Sequence, residues 1–175
     1  MKRLALILGL LMAPAPLLAQ AADGHTAVRT ARGAWSQMAA YVLAAAKDVP
    51  DSLYGWQPTT EVRTFGQQFA HVAGAHNLIC GTAMGDATRS EDDIERTRTT
   101  KAAIIEALEA SMAYCEKAYE MSDADAQGRI SLFGMDMTKL QALTMNATHD
   151  GEHYGNVVTY LRINGIVPPS SRPRS

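Results

Sequence analysis

Two histidines, His149 and His153, stand four residues apart in the segment NATHDGEHYGNVVTYLR. In an α-helix, residues at this spacing differ by only about 40° around the axis, so the two imidazoles stack one turn apart on one face. Two imidazoles so placed can bind one metal ion. A pair of histidines on a solvated helix face has the same spacing, so the spacing alone leaves both interpretations open.

The residues around the pair exclude two other interpretations. The zincin protease signature has a glutamate directly after the first histidine as its general base, and Asp150 takes that place here. Helix phase puts His149 and His153 about 120° away from the core position Tyr154, so they are not ordinary core histidines. We expect them on a flank of the helix, where a groove can hold a metal ion.

A third protein ligand has to come from another helix, and two histidines on one earlier helix are candidates. His76 lies near the middle of the apolar stripe of its helix, so we expect it in the core. His71 lies on the opposite side of the same helix, so a site built from flank positions would use His71. His25 stands near the start of the predicted domain, and we expect no specific role for it.

Apolar residues at three-four spacing predict four helices. Their expected bounds are residues 26–47, 65–84, 99–121 and 136–164. No segment alternates apolar and polar residues as a half-buried strand does. Four helices of this length around one core predict an all-α protein, a four-helix bundle over about residues 26–165.

The start of the chain has the pattern of a signal peptide. Two basic residues precede the apolar run LALILGLLM, and the stretch LLAQA offers a small-x-small cleavage site. The run is too short to span a bilayer, and no cysteine follows it for lipid attachment. We expect residues 1–21 to be removed, which leaves an exported, periplasmic or secreted protein without a stable membrane anchor. Residues 22–175 then form a single domain.

Removal of that segment changes the formal charge from −2 to −4, because 14 basic residues remain against 18 acidic ones. A mildly acidic domain lacks the basic face that nucleic acids require. We therefore expect no nucleic-acid partner.

The two cysteines, Cys80 and Cys115, would meet an oxidising compartment after export, where a pair can form a disulfide. Helix phase puts each near the middle of the apolar stripe of its helix. A bridge would stabilise the fold by roughly 2–4 kcal/mol. Two buried thiols that never meet are the alternative, and the residues leave both open.

Three parts of the chain together resemble the DinB/YfiT-like family of four-helix metal-binding proteins. These are GWQPTTEVRTFGQQFAHVA at residues 55–73, the third helix, and HDGEHYGNVVTYLRINGIVPPSS at residues 149–171. The resemblance implies a divalent metal ion held by one histidine of the second helix and the pair of the fourth. In this chain those ligands are His71, His149 and His153.

The resemblance also implies an up-down-down-up bundle, in which the connection around residues 85–99 crosses over. The second and third helices then run parallel, which favours a disulfide between Cys80 and Cys115. Asn156 stands where many relatives have glutamine, and this departure concerns a supporting contact of the site rather than a ligand.

Three neutral imidazoles on Zn²⁺ leave a fourth position for water or substrate. Ni²⁺ also accepts imidazole, so we expect zinc or nickel without deciding between them. Asp150, Glu152 and Asn156 lie beside the ligands and are candidates for holding an imidazole in place, as carboxylates do at many metal sites. For the two acids, a solvated helix surface is the alternative.

Two kinds of function follow. The first is a metal-dependent transferase or hydrolase that acts on a small-molecule substrate, since the resemblance implies relatives that use low-molecular-weight thiols in transferase or isomerase reactions. The second is a non-catalytic protein, either a metal-binding bundle or a stress-related structural or interaction bundle. A homodimer is compatible with both.

Overall fold

The structure is a computed structural model and describes residues 24–173. The expected signal segment, residues 1–21, lies outside this range. Four long helices and one short helix account for most of the described chain. They are α1 Thr26–Asp48, α2 Phe65–Met84, α3 Asp93–Thr97, α4 Lys101–Ala118 and α5 Lys139–Ile163.

The four long helices form a bundle in which α1 packs mainly on α5 and α2 mainly on α4. Two core clusters, one toward each end of the bundle, show the directions of the helices. Each cluster draws on all four long helices: Val42, Phe65, Ile104 and Leu161 lie in the first, and Trp35, Cys80, Cys115 and Leu143 in the second. The first cluster therefore combines the late parts of α1 and α5 with the early parts of α2 and α4, and the second combines the opposite parts. This arrangement confirms the all-α up-down-down-up bundle.

Local capping signals set the helix ends that the site depends on. At the start of α2, the side chain of Thr64 accepts a hydrogen bond from the backbone N–H of Gln67, and the Gln67 side chain accepts one from the Thr64 N–H. The Thr138–Gln141 pair begins α5 in the same way. Gly85 ends α2 with φ of 83°, a left-handed conformation that glycine adopts without steric cost. The observed bounds of α2 match the expected residues 65–84.

A two-stranded antiparallel hairpin precedes α5, contrary to the expectation of no strands. It comprises β1 Arg129–Leu132 and β2 Met135–Thr138, so the predicted start of the fourth helix at residue 136 was wrong. Phe133 and Gly134 make the turn with φ of 52° and 73°, as in the two-residue turns that suit strand twist. Strands of four residues are too short to show a clear alternation, and the hairpin is held by tertiary contacts of Leu132 and Met137 with α2 and α5.

A disulfide joins Cys80 of α2 to Cys115 of α4, with the two Cα atoms 5.3 Å apart. Both residues are fully buried, at the end of the bundle where these parallel helices finish. The bridge therefore links α2 to α4, the two helices that the long crossover containing α3 connects. Within residues 24–173, no helix combines the length and apolar character needed to cross a membrane.

Candidate metal centre

Three histidines from two antiparallel helices converge at one point. Nε2 of His149 lies 3.2 Å from Nε2 of His71 and 3.1 Å from Nε2 of His153. In a tetrahedral site with metal–nitrogen bonds of about 2.0–2.1 Å, two ligand nitrogens lie roughly 3.3 Å apart. Imidazole lone pairs this close repel one another unless a cation or a proton lies between them. The donor set and its spacing therefore fit one divalent metal ion.

His153 is held in the tautomer that a metal ligand needs. Its Nδ1 lies 2.7 Å from Oε1 of Gln68, an acceptor, so Nδ1–H donates and Nε2 carries the lone pair. Gln68 is itself buried on α2, three residues before His71, and therefore lies on the same side of that helix. The sequence puts Gln68 on the same helix face as His71. A glutamine three residues from a histidine is nevertheless too common a pattern to predict a supporting contact at a metal site.

Burial keeps the three imidazoles neutral. Desolvation, with a smaller contribution from the nearby Arg63 guanidinium, lowers the pKa of His71 to about 4. Desolvation and the two neighbouring histidines lower the pKa of His153 to about 3. The pKa of His149 is also lowered, mainly by burial. At neutral pH all three imidazoles are therefore uncharged, and each can bind a metal ion without first losing a proton.

His76 lies in the core, as the sequence indicates, and is fully buried beside the Trp35 ring. Its Nδ1 lies 3.1 Å from Oγ of Ser111, and its Nε2 lies 2.8 Å from Oδ2 of Asp150. Serine, histidine and aspartate are the residue types of a hydrolase triad, but Ser111 is buried and its hydroxyl donates to the Leu108 carbonyl. This cluster therefore satisfies polar groups in the core and has no accessible nucleophile.

The three candidates for supporting the ligands occupy different places. Asp150 is fully buried, and its carboxylate is hydrogen-bonded to His76. It is therefore neither solvent-exposed nor the partner of a ligand imidazole. Close packing of α5 against α1 and α2 buries this position, which a single-helix view of the sequence does not show. Glu152 and Asn156 are exposed and line a pocket beside His153.

Of the three histidines, His153 lines that pocket. It has a volume of about 610 Å³ and lies between the α1–α2 connection, the start of α2, α3 and α5. Gln68, Arg63 and Glu95 share its wall with His153, and Arg63 Nε lies 3.0 Å from Oε2 of Glu95. One of the three histidines therefore borders a polar space large enough for a small molecule.

The crossover brings two acids to the far side of His71. Its Nδ1 lies 3.7 Å from Oε2 of Glu95 and 4.0 Å from Oδ1 of Asp92. Nδ1 of His71 and Nδ1 of His149 are both buried without a hydrogen-bond partner. No sequence pattern pointed to Glu95, because the path of a crossover loop is decided by tertiary packing.

Solved structures with the same fold include two DinB-like proteins and one enzyme. A DinB-like protein from Bacillus cereus superposes with a TM-score of 0.70 at 17% identity, over 81% of this chain and 95% of its own. A DinB-like protein from Bacillus subtilis gives a TM-score of 0.64 at 17% identity, over 83% of this chain and 99% of its own. The mycothiol-dependent maleylpyruvate isomerase gives 0.60 at 16% identity, over 75% of this chain and 59% of its own. At these identities the likeness shows the fold.

The sequence comparisons bear on the family. A search of curated protein sequences finds no match. The sequence profile of the DinB superfamily matches residues 34–157, which include α2, α4, most of α1 and α5, and all three histidines of the centre. That range is well over half of the chain. The protein therefore belongs to the DinB superfamily.

Proposed function

We propose that this protein binds one divalent metal ion through Nε2 of His71, His149 and His153 and acts as a metal-dependent transferase or hydrolase on a small molecule. The observation that carries the proposal is the convergence of three neutral imidazoles beside an open polar pocket. A purely structural zinc site is usually closed by a fourth protein ligand. The pocket beside His153 is where substrate or water would complete the coordination.

The residues of the chain have separate tasks in this scheme. A bound metal ion would supply Lewis acidity and would lower the pKa of a bound water or thiol. Gln68 holds His153 with its Nε2 toward the ion, and the polar pocket wall, including Arg63 and Asn156, would orient the substrate. The fold is shared with a mycothiol-dependent isomerase, which supports including low-molecular-weight thiols among the substrates to be tested.

Zinc and nickel are the metals that we propose. Both accept neutral imidazole, whereas calcium and magnesium favour oxygen ligands. The three donors here are all nitrogen, and this supports the choice of borderline metals over hard ones.

We also propose that the protein is exported and that residues 1–21 are its signal peptide. The disulfide between Cys80 and Cys115 supports this, because such bonds persist in oxidising compartments. Mass measurement of the protein from an expressing bacterial host tests it. A mature chain that begins at residue 22 is the expected result, and a full-length cytoplasmic chain would contradict it.

Metal analysis tests the function directly. Protein purified under metal-sparing conditions should take up one Zn²⁺ or Ni²⁺ per chain, and His71→Ala, His149→Ala and His153→Ala should each lose most of that uptake. His25→Ala is the matched control, since His25 lies outside the centre and bonds the Met121 carbonyl. No uptake by the wild type, or loss in the control alone, would refute the assignment. Turnover assays with thiol and ester substrates then separate an enzyme from a metal-binding bundle.

A further inference from the structure

We propose that Glu95 is a positioning residue of the metal centre, whose carboxylate accepts a hydrogen bond from Nδ1–H of His71 and so directs Nε2 of His71 at the ion. This inference rests on the proposed metal binding and adds a residue from the crossover to it. Glu95 belongs to α3, which supplies no ligand.

The first support is a buried donor that needs an acceptor. When Nε2 of His71 binds a metal ion, the proton of the neutral imidazole is on Nδ1. That atom is buried without a hydrogen-bond partner, and the side chain of His71 is only 5% exposed. Buried polar groups are nearly always paired, because an unpaired one loses the hydrogen bonds it made to water.

Glu95 is the better placed of the two acids that face this nitrogen. Its Oε2 lies 3.7 Å from Nδ1 and its side chain is 16% exposed, whereas Asp92 lies 4.0 Å away and is 55% exposed. A hydrogen bond requires about 2.7–3.2 Å, so the carboxylate has to approach by roughly 0.5–1 Å. A small change in the Glu95 side-chain torsions covers that distance.

The backbone of the crossover is held against α2 at this point. A Cβ atom built on Gly74 would lie 1.8 Å from the carbonyl oxygen of Glu91, so only glycine allows the two backbones to come this close. Gly74 is three residues beyond His71, on the same side of α2. The close approach therefore brings the segment that continues into α3, and with it Glu95, next to His71.

A second metal ion between His71, Asp92 and Glu95 is the competing interpretation. It would need both nitrogens of His71 as ligands, and therefore loss of the imidazole proton. The Glu95 carboxylate already has a positively charged partner, because Arg63 Nε lies 3.0 Å from the same Oε2 atom. A hydrogen bond from His71 is thus favoured over a second ion.

Zinc affinity, measured by competition with a chromogenic chelator, is the first test. Glu95→Ala should weaken Zn²⁺ binding by about 10–100-fold, the usual effect of removing the partner of a ligating histidine. Glu95→Gln keeps an uncharged acceptor and should recover part of that loss. Asp93→Asn is the matched control on α3, since the Asp93 side chain is half-exposed and pairs with Arg96, and it should change the affinity less than twofold.

Removal of Glu95 also leaves the Arg63 charge unpaired near the ion, which would weaken binding by repulsion. The Glu95→Ala loss is therefore measured again in an Arg63→Gln background. A loss of tenfold or more in that background belongs to the contact with His71. Disappearance of the loss there would overturn the inference.

Nitrogen-15 NMR of the histidine rings gives a readout that a merely structural role would not change. In the zinc-loaded wild type, Nδ1–H of His71 should be a slowly exchanging signal, and Glu95→Ala should abolish it. The Nδ1–H signal of His153, which donates to Gln68, should persist in both proteins.

The remaining outcomes separate this inference from the proposed function. A wild type that binds no metal overturns both. One ion bound equally well by wild type and Glu95→Ala, with the His71 signal retained, overturns the positioning role alone. Two ions per chain, the second lost in Glu95→Gln, would assign Glu95 as a ligand and also overturn it.

Discussion

Gln68 offers the sharpest test of how the chain prepares its metal centre. It is buried, and its Oε1 lies 2.7 Å from Nδ1 of His153, so the change Gln68→Leu removes the acceptor at nearly constant volume. His153 is then free to place its proton on Nε2, the nitrogen that faces the other two histidines. The variant should therefore bind metal more weakly without losing a ligand.

The size of the effect follows from the contact. Loss of the partner of a ligating histidine weakens metal binding by about 10–100-fold, which corresponds to about 1.4–2.7 kcal/mol. In the metal-free protein the loss of folding stability is at most about 1–3 kcal/mol, because His153 can place its proton on Nε2, which lies 3.1 Å from Nε2 of His149. Gln68→Glu retains an acceptor and adds a negative charge, so it should bind metal at least as tightly as the wild type.

Two measurements on each variant separate these effects. Chelator competition gives the Zn²⁺ affinity, and urea unfolding of the metal-free protein gives the free energy of unfolding. Gln37→Leu, an exposed change on α1, is the control and should alter neither quantity appreciably. The reasoning is refuted if Gln68→Leu binds Zn²⁺ as tightly as the wild type, because the tautomer of His153 would then not depend on Gln68.

Three further results are expected from the same assays. Replacing both Cys80 and Cys115 by alanine opens a loop of 35 residues and should lower the free energy of unfolding by up to about 4 kcal/mol. Free thiols in the exported wild type would contradict the bridge. In the metal-free protein, the lowered pKa values of His71 and His153 mean that the unfolded chain binds protons below about pH 6.5 while the folded chain does not. The free energy of unfolding should thus be greatest above pH 6.5 and should be lower by up to about 2 kcal/mol per histidine at pH 5. Equal urea midpoints at pH 7.5 and pH 5 would show that these imidazoles are not buried in the neutral form. Asp150→Ala removes the carboxylate that faces Nε2 of buried His76 and should cost about 1–3 kcal/mol, and a loss below about 0.5 kcal/mol would mean that Trp35 Nε1–H, 3.1 Å from the same Nε2, satisfies it instead.

Much of the bundle could be predicted because its signals are local. The apolar stripe of α2 and the Thr64–Gln67 capping pair lie within one short segment, and the predicted bounds agree with the structure. The third helix was predicted too long, over residues 99–121, and the observed α4 ends at Ala118. The hairpin before α5 was missed, because its four-residue strands are held by contacts with other elements.

The supporting residues of the centre show the limit of a helix-by-helix view. Asp150 was placed either on the surface or beside a ligand, yet it bonds His76 across the core. A helical wheel gives the direction of a side chain but not which neighbouring helix covers it. Glu95 could not be found from the sequence, because it reaches His71 through the close packing of a crossover backbone on Gly74.

The sequence by itself determined that His149 and His153 share one face of a helix, since that depends only on the helical period. It also determined the family and the type of bundle, because capping, apolar spacing and the matched segments are properties of the chain. Only the tertiary structure decided that His71 brings its Nε2 to within 3.2 Å of His149 and that Gln68 and Glu95 lie next to the ligands. These contacts join residues from helices and a crossover far apart in the chain, and their geometry depends on how the helices pack against one another.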